Sequence, residues 1–214
     1  MRIALFSDIH ANLPAFEAFL ADLDARKVDA IYCLGDMIGY NIWPNEVIAE
    51  IRRRGIATLA GNHDQKTKGY AYELVLADNR AYLNTLPAHI KLEYANLNIV
   101  LAHGSTRSID EYVLEDTDES YVLEMMSEAK ADVLCVGHSH LPYYRMIGDK
   151  QVINIGSVGK PKDGNPDGCY ALLTIDDRIQ VDFIRFAYDI EKAATAILQS
   201  PLPDELADRL RKAW

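Results

Sequence analysis

Gly61-Asn62-His63-Asp64 sets an amide, an imidazole and a carboxylate side by side, directly after the apolar run Ile56-Ala57-Thr58-Leu59-Ala60. Four other clusters follow short apolar runs in the same way: Asp8-Ile9-His10, Gly35-Asp36, His103-Gly104 and Gly137-His138-Ser139-His140. The runs 2–7, 30–34 and 56–60 alternate with two stretches of helical spacing. One opens at Pro14 and carries Phe16, Phe19, Leu20 and Leu23 on one face to about Arg26; the other opens at Pro44 and carries Val47, Ile48 and Ile51. Strand–helix–strand–helix–strand predicts a parallel sheet. Such sheets bind ligands beyond the carboxyl ends of their strands, which is where Asp8, Asp36 and Asn62 fall.

Residues 65–86 read as helical. Strands are expected at 89–94 and 97–102, with Asn96 in the turn and His103 at the end, and at 132–137, ending at Gly137-His138. An acidic segment, 110–128, holds the tail of a loop and a helix. The runs 143–147, 151–155, 169–175 and 179–186 are separated by Gly-Asp, Asp-Gly and Asp-Asp turns. They predict an antiparallel meander forming a second sheet, so the composition shift near 141 reads as a change of sheet. Helices over 189–199 and 203–213 close the chain. No repeat, linker or low-complexity tract divides residues 1–214, which read as one α/β domain.

The net charge of −10 disfavours a nucleic-acid duplex as partner, because an acidic surface repels phosphate backbones. A local site still binds phosphate where metals supply the charge. The three cysteines, Cys33, Cys135 and Cys169, form no CxxC and read as buried free thiols suited to a reducing compartment. The run Met1–Phe6 meets Asp8 too soon for a signal peptide, and no apolar stretch has membrane-spanning length. A cytoplasmic protein without membrane contact is expected.

Asp8 and His10 are two residues apart, so at an extended strand end they face the same way, and His138 and His140 repeat the spacing. Five of the six histidines lie in these clusters; His89 alone reads as ordinary surface or loop. Carboxylates, an amide oxygen and imidazoles make a mixed O/N donor set suited to Mn, Fe, Zn, Co or Ni rather than to Ca. The donors outnumber the needs of one tetrahedral ion and fit two ions sharing a carboxylate. Singly, Asp-x-His arises by chance, Gly-Asp is a turn, and His-x-His is often a surface pair. Five clusters in series at strand ends decide for metal.

These five motifs resemble those of the calcineurin-like metallophosphoesterases, and the resemblance covers nearly the whole chain. Ser7-Asp8-Ile9-His10-Ala11-Asn12-Leu13-Pro14, Gly39-Tyr40, His103-Gly104-Ser105 and Asn154-Ile155-Gly156-Ser157-Val158-Gly159 are similar to the small, cap-less bacterial and archaeal branch. The resemblance implies two packed mixed β-sheets flanked by helices, a four-layer αββα sandwich. It implies a first metal on Asp8, His10, Asp36 and His140. A second would sit on Asp36, Asn62, His103 and His138, with Asp36 bridging. His63 would face the leaving-group oxygen and Asp64 would orient its ring. The expected cofactors are two divalent ions, most naturally Mn, with Fe, Zn, Co or Ni as alternatives. Two cations roughly 3.5–4 Å apart neutralise an anionic phosphoester and clamp its attacking and leaving oxygens in line. They also make hydroxide available near neutral pH.

Around these motifs, Arg107 and Lys162, with Lys160, are in sequence reach of a substrate phosphate, against the plainer reading of surface charge. Tyr40, Asn41 and Trp43 follow Asp36 and offer rings to a base or aryl group, against simple loop packing. The 156–159 stretch reads as a structural turn whose amides are also candidate phosphate ligands. Ala60 stands where the protein Ser/Thr phosphatases of this superfamily carry a phosphate-gripping arginine, which counts against a phosphoprotein monoesterase. The leading reading is a phosphodiesterase acting on small phosphoesters or nucleotides. The alternatives are a phosphomonoesterase or a dinucleoside polyphosphate hydrolase, kept open by Ser105–Val113, and a non-catalytic scaffold like the retromer subunit. His63 and Asp64 weigh against the scaffold. A homo-oligomer is expected by analogy.

Overall fold

The computed structural model describes every residue except Ala95 and Asp177. The first half of the chain runs β1 (Arg2–Phe6), α1 (Leu13–Asp24), β2 (Ala30–Cys33), α2 (Pro44–Arg54), β3 (Ala57–Thr58), α3 (Tyr70–Glu73), α4 (Ala77–Leu83), β4 (His89–Tyr94) and β5 (Leu97–Ala102). The second half runs α5 (Glu119–Ala129), β6 (Val133–Val136), β7 (Tyr143–Ile147), β8 (Lys150–Asn154), β9 (Gly168–Ile175), β10 (Ile179–Phe186), α6 (Ile190–Leu198) and α7 (Glu205–Lys212). Two five-stranded mixed sheets result, in the orders β10-β9-β1-β2-β3 and β4-β5-β6-β8-β7. The two-sheet, helix-flanked architecture expected from the resemblance is present.

Side-chain alternation builds the layers. Ile3 and Leu5 of β1 pack between the sheets with Ile99, Leu101, Val133 and Cys135. Their neighbours Ala4 and Phe6 face the other way, onto Phe16 and Phe19 of α1. In β6, Leu134 and Val136 likewise face Met125 and Met126 of α5. Central strands buried on both faces read as continuous apolar runs, which is why these segments show no polar alternation. The helix faces follow from their sequences: Asn12 caps α1 by accepting from the Ala15 N–H, and Pro14 sits in its first turn.

Three expectations change. Strand β3 spans two residues only: the Leu59 N–H still donates to the Cys33 carbonyl, but the Ala60 N–H leaves the ladder for the Pro87 carbonyl. The 65–86 helix is two short helices, α3 and α4. The four late strands form two hairpins that go to different sheets rather than one meander. Strand β8 joins β6 in parallel (Val133↔Gln151), and β9 joins β1 antiparallel (Arg2↔Thr174). The shift near 141 is therefore no change of sheet. His89 opens strand β4, paired with Ala102, at the start of the strand expected over 89–94.

The parallel strands β1, β2 and β3 of one sheet, and β5 and β6 of the other, end at a common edge. Two cross-sheet bonds and one between neighbouring strand ends fix it. His103 Nδ1 meets the Leu34 carbonyl at 2.8 Å, the Gly137 N–H donates to the His103 carbonyl at 2.8 Å, and the His138 N–H donates to Asp8 Oδ2 at 3.1 Å. All five motifs are thereby brought to one place.

Candidate metal centre

Three of the five motifs leave their strands through a kink. Asp8 (φ 56°), His10 (52°), Asp36 (54°), His138 (63°) and His140 (63°) all lie in the left-handed region, which costs an L-residue about 1–2 kcal/mol. The two-residue spacing aims Asp8 with His10, and His138 with His140, through these kinks and not through an extended strand. Neighbours pin them. The Asp8 N–H donates to Gly35 O at 3.0 Å and the His10 N–H to Asp36 O at 2.9 Å. The Asp8 carbonyl accepts from the Gly159 N–H (3.0 Å) and Ser157 Oγ (2.9 Å). The amides of Gly156, Val158 and Lys160 are also engaged, by Asn154, Ser7 and Ser157. The 156–159 turn is thus a buttress under Asp8, and these amides are taken, contrary to the phosphate-binding expectation.

Gly61 is needed for close approach rather than for turning: a Cβ there would stand 2.1 Å from Asp36 Oδ1. Asp36 Oδ1 in turn accepts the His63 backbone N–H at 2.7 Å. The Asp36 and Asn62 loops are locked together by this contact.

Backbone carbonyls orient the histidine rings. His10 Nδ1 faces Ile38 O at 3.1 Å and His140 Nδ1 faces Lys160 O at 2.5 Å, as His103 Nδ1 faces Leu34 O. His138 is held the other way round, its Nε2 at 3.1 Å from Asp110 O. A carbonyl only accepts, so the nitrogen facing it carries a proton and the opposite nitrogen points to the interior. Such outer partners fix tautomer and orientation in metal sites.

The inward nitrogens converge on carboxylates. His140 Nε2 lies 3.1 Å from Asp8 Oδ1 and 3.1 Å from His10 Nε2. His10 Nε2 lies 3.5 Å from Asp8 Oδ1 and 3.7 Å from Asp36 Oδ2. His103 Nε2 lies 3.4 Å from Asp36 Oδ2 and 3.2 Å from Asn62 Oδ1. The sets Asp8-His10-His140, Asp36-His103-His138 and His10-Asp36-His63 each have donor atoms within 4.8 Å of one another. Asp8 Oδ1 is buried and receives no hydrogen bond among the described residues. Burial holds the His140 ring down, to about 4, so at neutral pH its inward nitrogen presents a lone pair to that oxygen. Facing lone pairs in a buried space repel unless a cation lies among them. The donor set therefore fits a metal ion.

Burial opposes the charge on both partners of the second cluster. Even so, Asp36 and Asp8 push His103 up to about 10, and His103 and His10 hold the Asp36 carboxyl below its usual range. In the metal-free chain a proton on His103 is the counter-charge there, and an ion binding among these donors displaces it.

His63 is half-buried and packs edge-on against His10, with ring centroids 4.9 Å apart, and against Tyr40 at 4.7 Å. A Cβ on Gly39, whose φ is 100°, would stand 2.4 Å from His63 Nδ1, so the absence of a side chain there leaves room for the ring. Burial and then His10 push the ring down to about 3. Asp64 does not orient it. Its carboxylate accepts from the N–H groups of Asp36 (2.8 Å), Met37 (2.9 Å), Ile38 (3.3 Å) and Gly61 (3.0 Å). Burial and then Asp36 push the Asp64 carboxyl up to about 7, against those amides. Its work is to clamp the two loops, and the side chain found beside the His63 ring is instead Lys66, whose Nζ lies 3.0 Å from Nε2 and 3.1 Å from Nδ1.

The flanking candidates divide. Arg107 is engaged elsewhere: Glu128 at 2.8 Å, Glu124 at 3.2 Å, and its guanidinium 4.8 Å over the Tyr121 ring. Tyr40 lies against the cluster, 4.7 Å from the His10 ring. Lys162 is half-buried; burial lowers its ammonium, with Asp8 and Asp36 pulling the other way. Lys160 is only 1% exposed, and its Nζ has no hydrogen-bond partner and lies 4.9 Å over the Tyr40 ring. Lys66, Gly39 and the carbonyls of Leu34, Ile38, Asp110 and Lys160 were missed as parts of the site. Backbone carbonyls carry no sequence signal at all.

A family model described as the calcineurin-like phosphoesterase superfamily domain matches residues 1–178. The chain belongs to that superfamily. Its curated relatives there include the uncharacterized protein MJ0912 of Methanocaldococcus jannaschii, 31% identical over 97% of this chain and 96% of the relative. A probable metallophosphoesterase of Methanothermobacter thermautotrophicus is 28% identical over 86% of this chain and 92% of its own. The crystal structure of a metallophosphoesterase from Sphaerobacter thermophilus matches with a TM-score of 0.85 and 28% identity, covering 100% of this chain and 99% of that one. As a calcineurin-like phosphoesterase of the small, cap-less branch, the chain has the fold and the candidate divalent-metal ligands of a hydrolase.

Chelation should lower the thermal midpoint. An ion present at 100 times its Kd stabilises by about 2.7 kcal/mol. At about 2–4 °C per kcal/mol for a chain of this size, stripping costs roughly 5–11 °C. Calorimetry of stripped and reloaded protein measures the difference; an unchanged midpoint would mean that these donors hold no ion.

Proposed function

We propose that the protein is a phosphodiesterase with two divalent ions that hydrolyses small phosphoesters, nucleotides among them. The observation that carries this reading is the convergence of His10, His140 and Asp8 on one side of Asp36, and of His103 and Asn62 on the other. Asp8, His10, Asp36 and His140 would hold one ion; Asp36, Asn62, His103 and His138 would hold the other. Their O/N chemistry suits Mn, with Fe, Zn, Co or Ni as substitutes. When bound, the pair supplies the positive charge that neutralises a phosphoester and activates water for in-line displacement.

The chain's own residues do the rest. His63 hydrogen-bonds and protonates the departing oxygen, and an anionic substrate beside the ring favours its protonated form. Asp64 holds the His63 and Asp36 loops in register through four amides. Lys162 and Tyr40 lie beside the cluster as contacts for the substrate. Arg107, which kept the polyphosphate reading open, is bound by two glutamates, and this favours a simpler diester. The three cysteines are buried thiols, in keeping with a cytoplasmic protein, and no helix among the described residues is long and apolar enough to cross a membrane.

Protein stripped and reloaded with Mn²⁺ should turn over bis-p-nitrophenyl phosphate in preference to p-nitrophenyl phosphate and diadenosine tetraphosphate. Preference for either of the latter would replace the diesterase reading with a monoesterase or a polyphosphate hydrolase. No turnover with any metal would favour a scaffold.

A further inference from the structure

Beyond His63 lies a cavity of about 190 Å³. Tyr40 and His63 form its inner wall, Tyr70 and Tyr72 of α3 a second, and Leu202 and Leu206, at the approach to α7 and in its first turn, a third. Two further side chains, Lys66 and Lys68, also line it. No carboxylate does, although the chain carries a net charge of −10. The cavity therefore combines apolar and aromatic walls with a local positive charge, against the character of the molecule as a whole.

We propose that this cavity is the leaving-group subsite, and that it takes a leaving group bearing one planar aromatic ring. The proposal rests on the phosphodiesterase reading for its orientation. If His63 faces the departing oxygen, whatever hangs from that oxygen extends past the imidazole, and the space past the imidazole is this cavity.

The volume gives the scale of the ring. An apolar cavity of about 150 Å³ accepts one benzene, so this one has room for one ring system. The walls set its chemistry. Tyr72 already has the Arg80 guanidinium 4.5 Å over its ring, and Tyr40 has Lys160. Tyr70 has no aromatic or cationic partner among the described residues and is only partly buried, so its ring is free to stack on an incoming one. Lys66 now stands 3.0 Å from His63 Nε2. A departing group that needs this nitrogen displaces the ammonium, which then sits with Lys68 at the wall and favours anionic over cationic substituents.

The test is a binding comparison on metal-reloaded protein by calorimetry. The probes are AMP against ribose 5-phosphate, and phenyl phosphate against ethyl phosphate. Each pair shares a phosphate and differs in the ring, and the two pairs separate a base one sugar away from a ring attached directly to the ester oxygen. Stacking on one aromatic side chain is worth about 5- to 150-fold in affinity. We expect at least one ring-bearing probe to bind that much tighter than its partner, and Tyr70→Ala to reduce the ratio to within about threefold. Tyr70→Leu, which keeps the apolar bulk of the wall, guards against a folding artefact and should give an intermediate ratio. Equal affinities in both pairs would overturn the subsite, as would a preference unchanged in both variants. Turnover of bis-p-nitrophenyl phosphate is read separately. Turnover without a ring preference removes the subsite alone, and a ring preference lost on Tyr70→Ala but without turnover removes the phosphodiesterase reading alone.

Discussion

Asp36→Asn should empty both halves of the centre at once. Asp36 Oδ2 stands between His10 Nε2 and His103 Nε2, at 3.7 and 3.4 Å, so it is the carboxylate two ions would share. The asparagine keeps the shape and still accepts the His63 N–H now held at 2.7 Å, so the loop survives while the charge is lost. The fall in activity should be well beyond the roughly 100-fold that a change one shell further out costs. Elemental analysis after dialysis should find fewer than two ions per chain. Because the substitution leaves the buried His103 without its main counter-charge, the metal-free variant should melt below the metal-free parent. Two tightly held ions in the variant would refute the bridging role.

His63→Ala should do the opposite, keeping the metals and losing the rate. General acid catalysis is worth about 10²–10⁴-fold, and kcat should fall in that range with the ion content unchanged. There is a competing outcome, because the His63 ring also lies with His10 and Asp36 in a set of donors that fits an ion. Metal content decides: if it drops with activity, His63 is a ligand and not the acid. Leaving groups give a second readout. An acid matters most to a poor one, so the loss should be larger for an alkyl diester than for a nitrophenyl diester, and an equal loss for both would count against proton donation.

The five motifs were legible because their side chains are themselves the candidate donors, and because each follows an apolar run that announces a strand end. Asp8, Asp36, Asn62, His103 and His138 are gathered where that reading puts them. The parts that were not legible are backbone or long-range. Asp64 looked like a partner for the adjacent histidine, but four amides from two loop segments claim it first, and amides are invisible in a sequence. The hairpins β7–β8 and β9–β10 are locally alike. Their assignment to different sheets depends on pairings such as Val133↔Gln151 and Arg2↔Thr174, which no local pattern encodes. Arg107 failed as a phosphate contact for a similar reason, since Glu124 and Glu128 come from a helix more than a turn of chain away.

The left-handed kinks at Asp8, His10, Asp36, His138 and His140 have a bearing on how such a site is kept over generations. At about 1–2 kcal/mol each, they sum to roughly 5–10 kcal/mol, comparable with the 5–15 kcal/mol that separates a whole native domain from its unfolded chain. Glycine relieves that strain at any of these positions, and each such change also removes a candidate ligand. Random substitution thus runs toward a quieter backbone and an inert molecule, the usual conflict between stability and activity concentrated in five residues. Two of the five also join parts of the fold, Asp8 through the His138 N–H and Asp36 through the His63 N–H, so the same substitutions would loosen what those bonds hold.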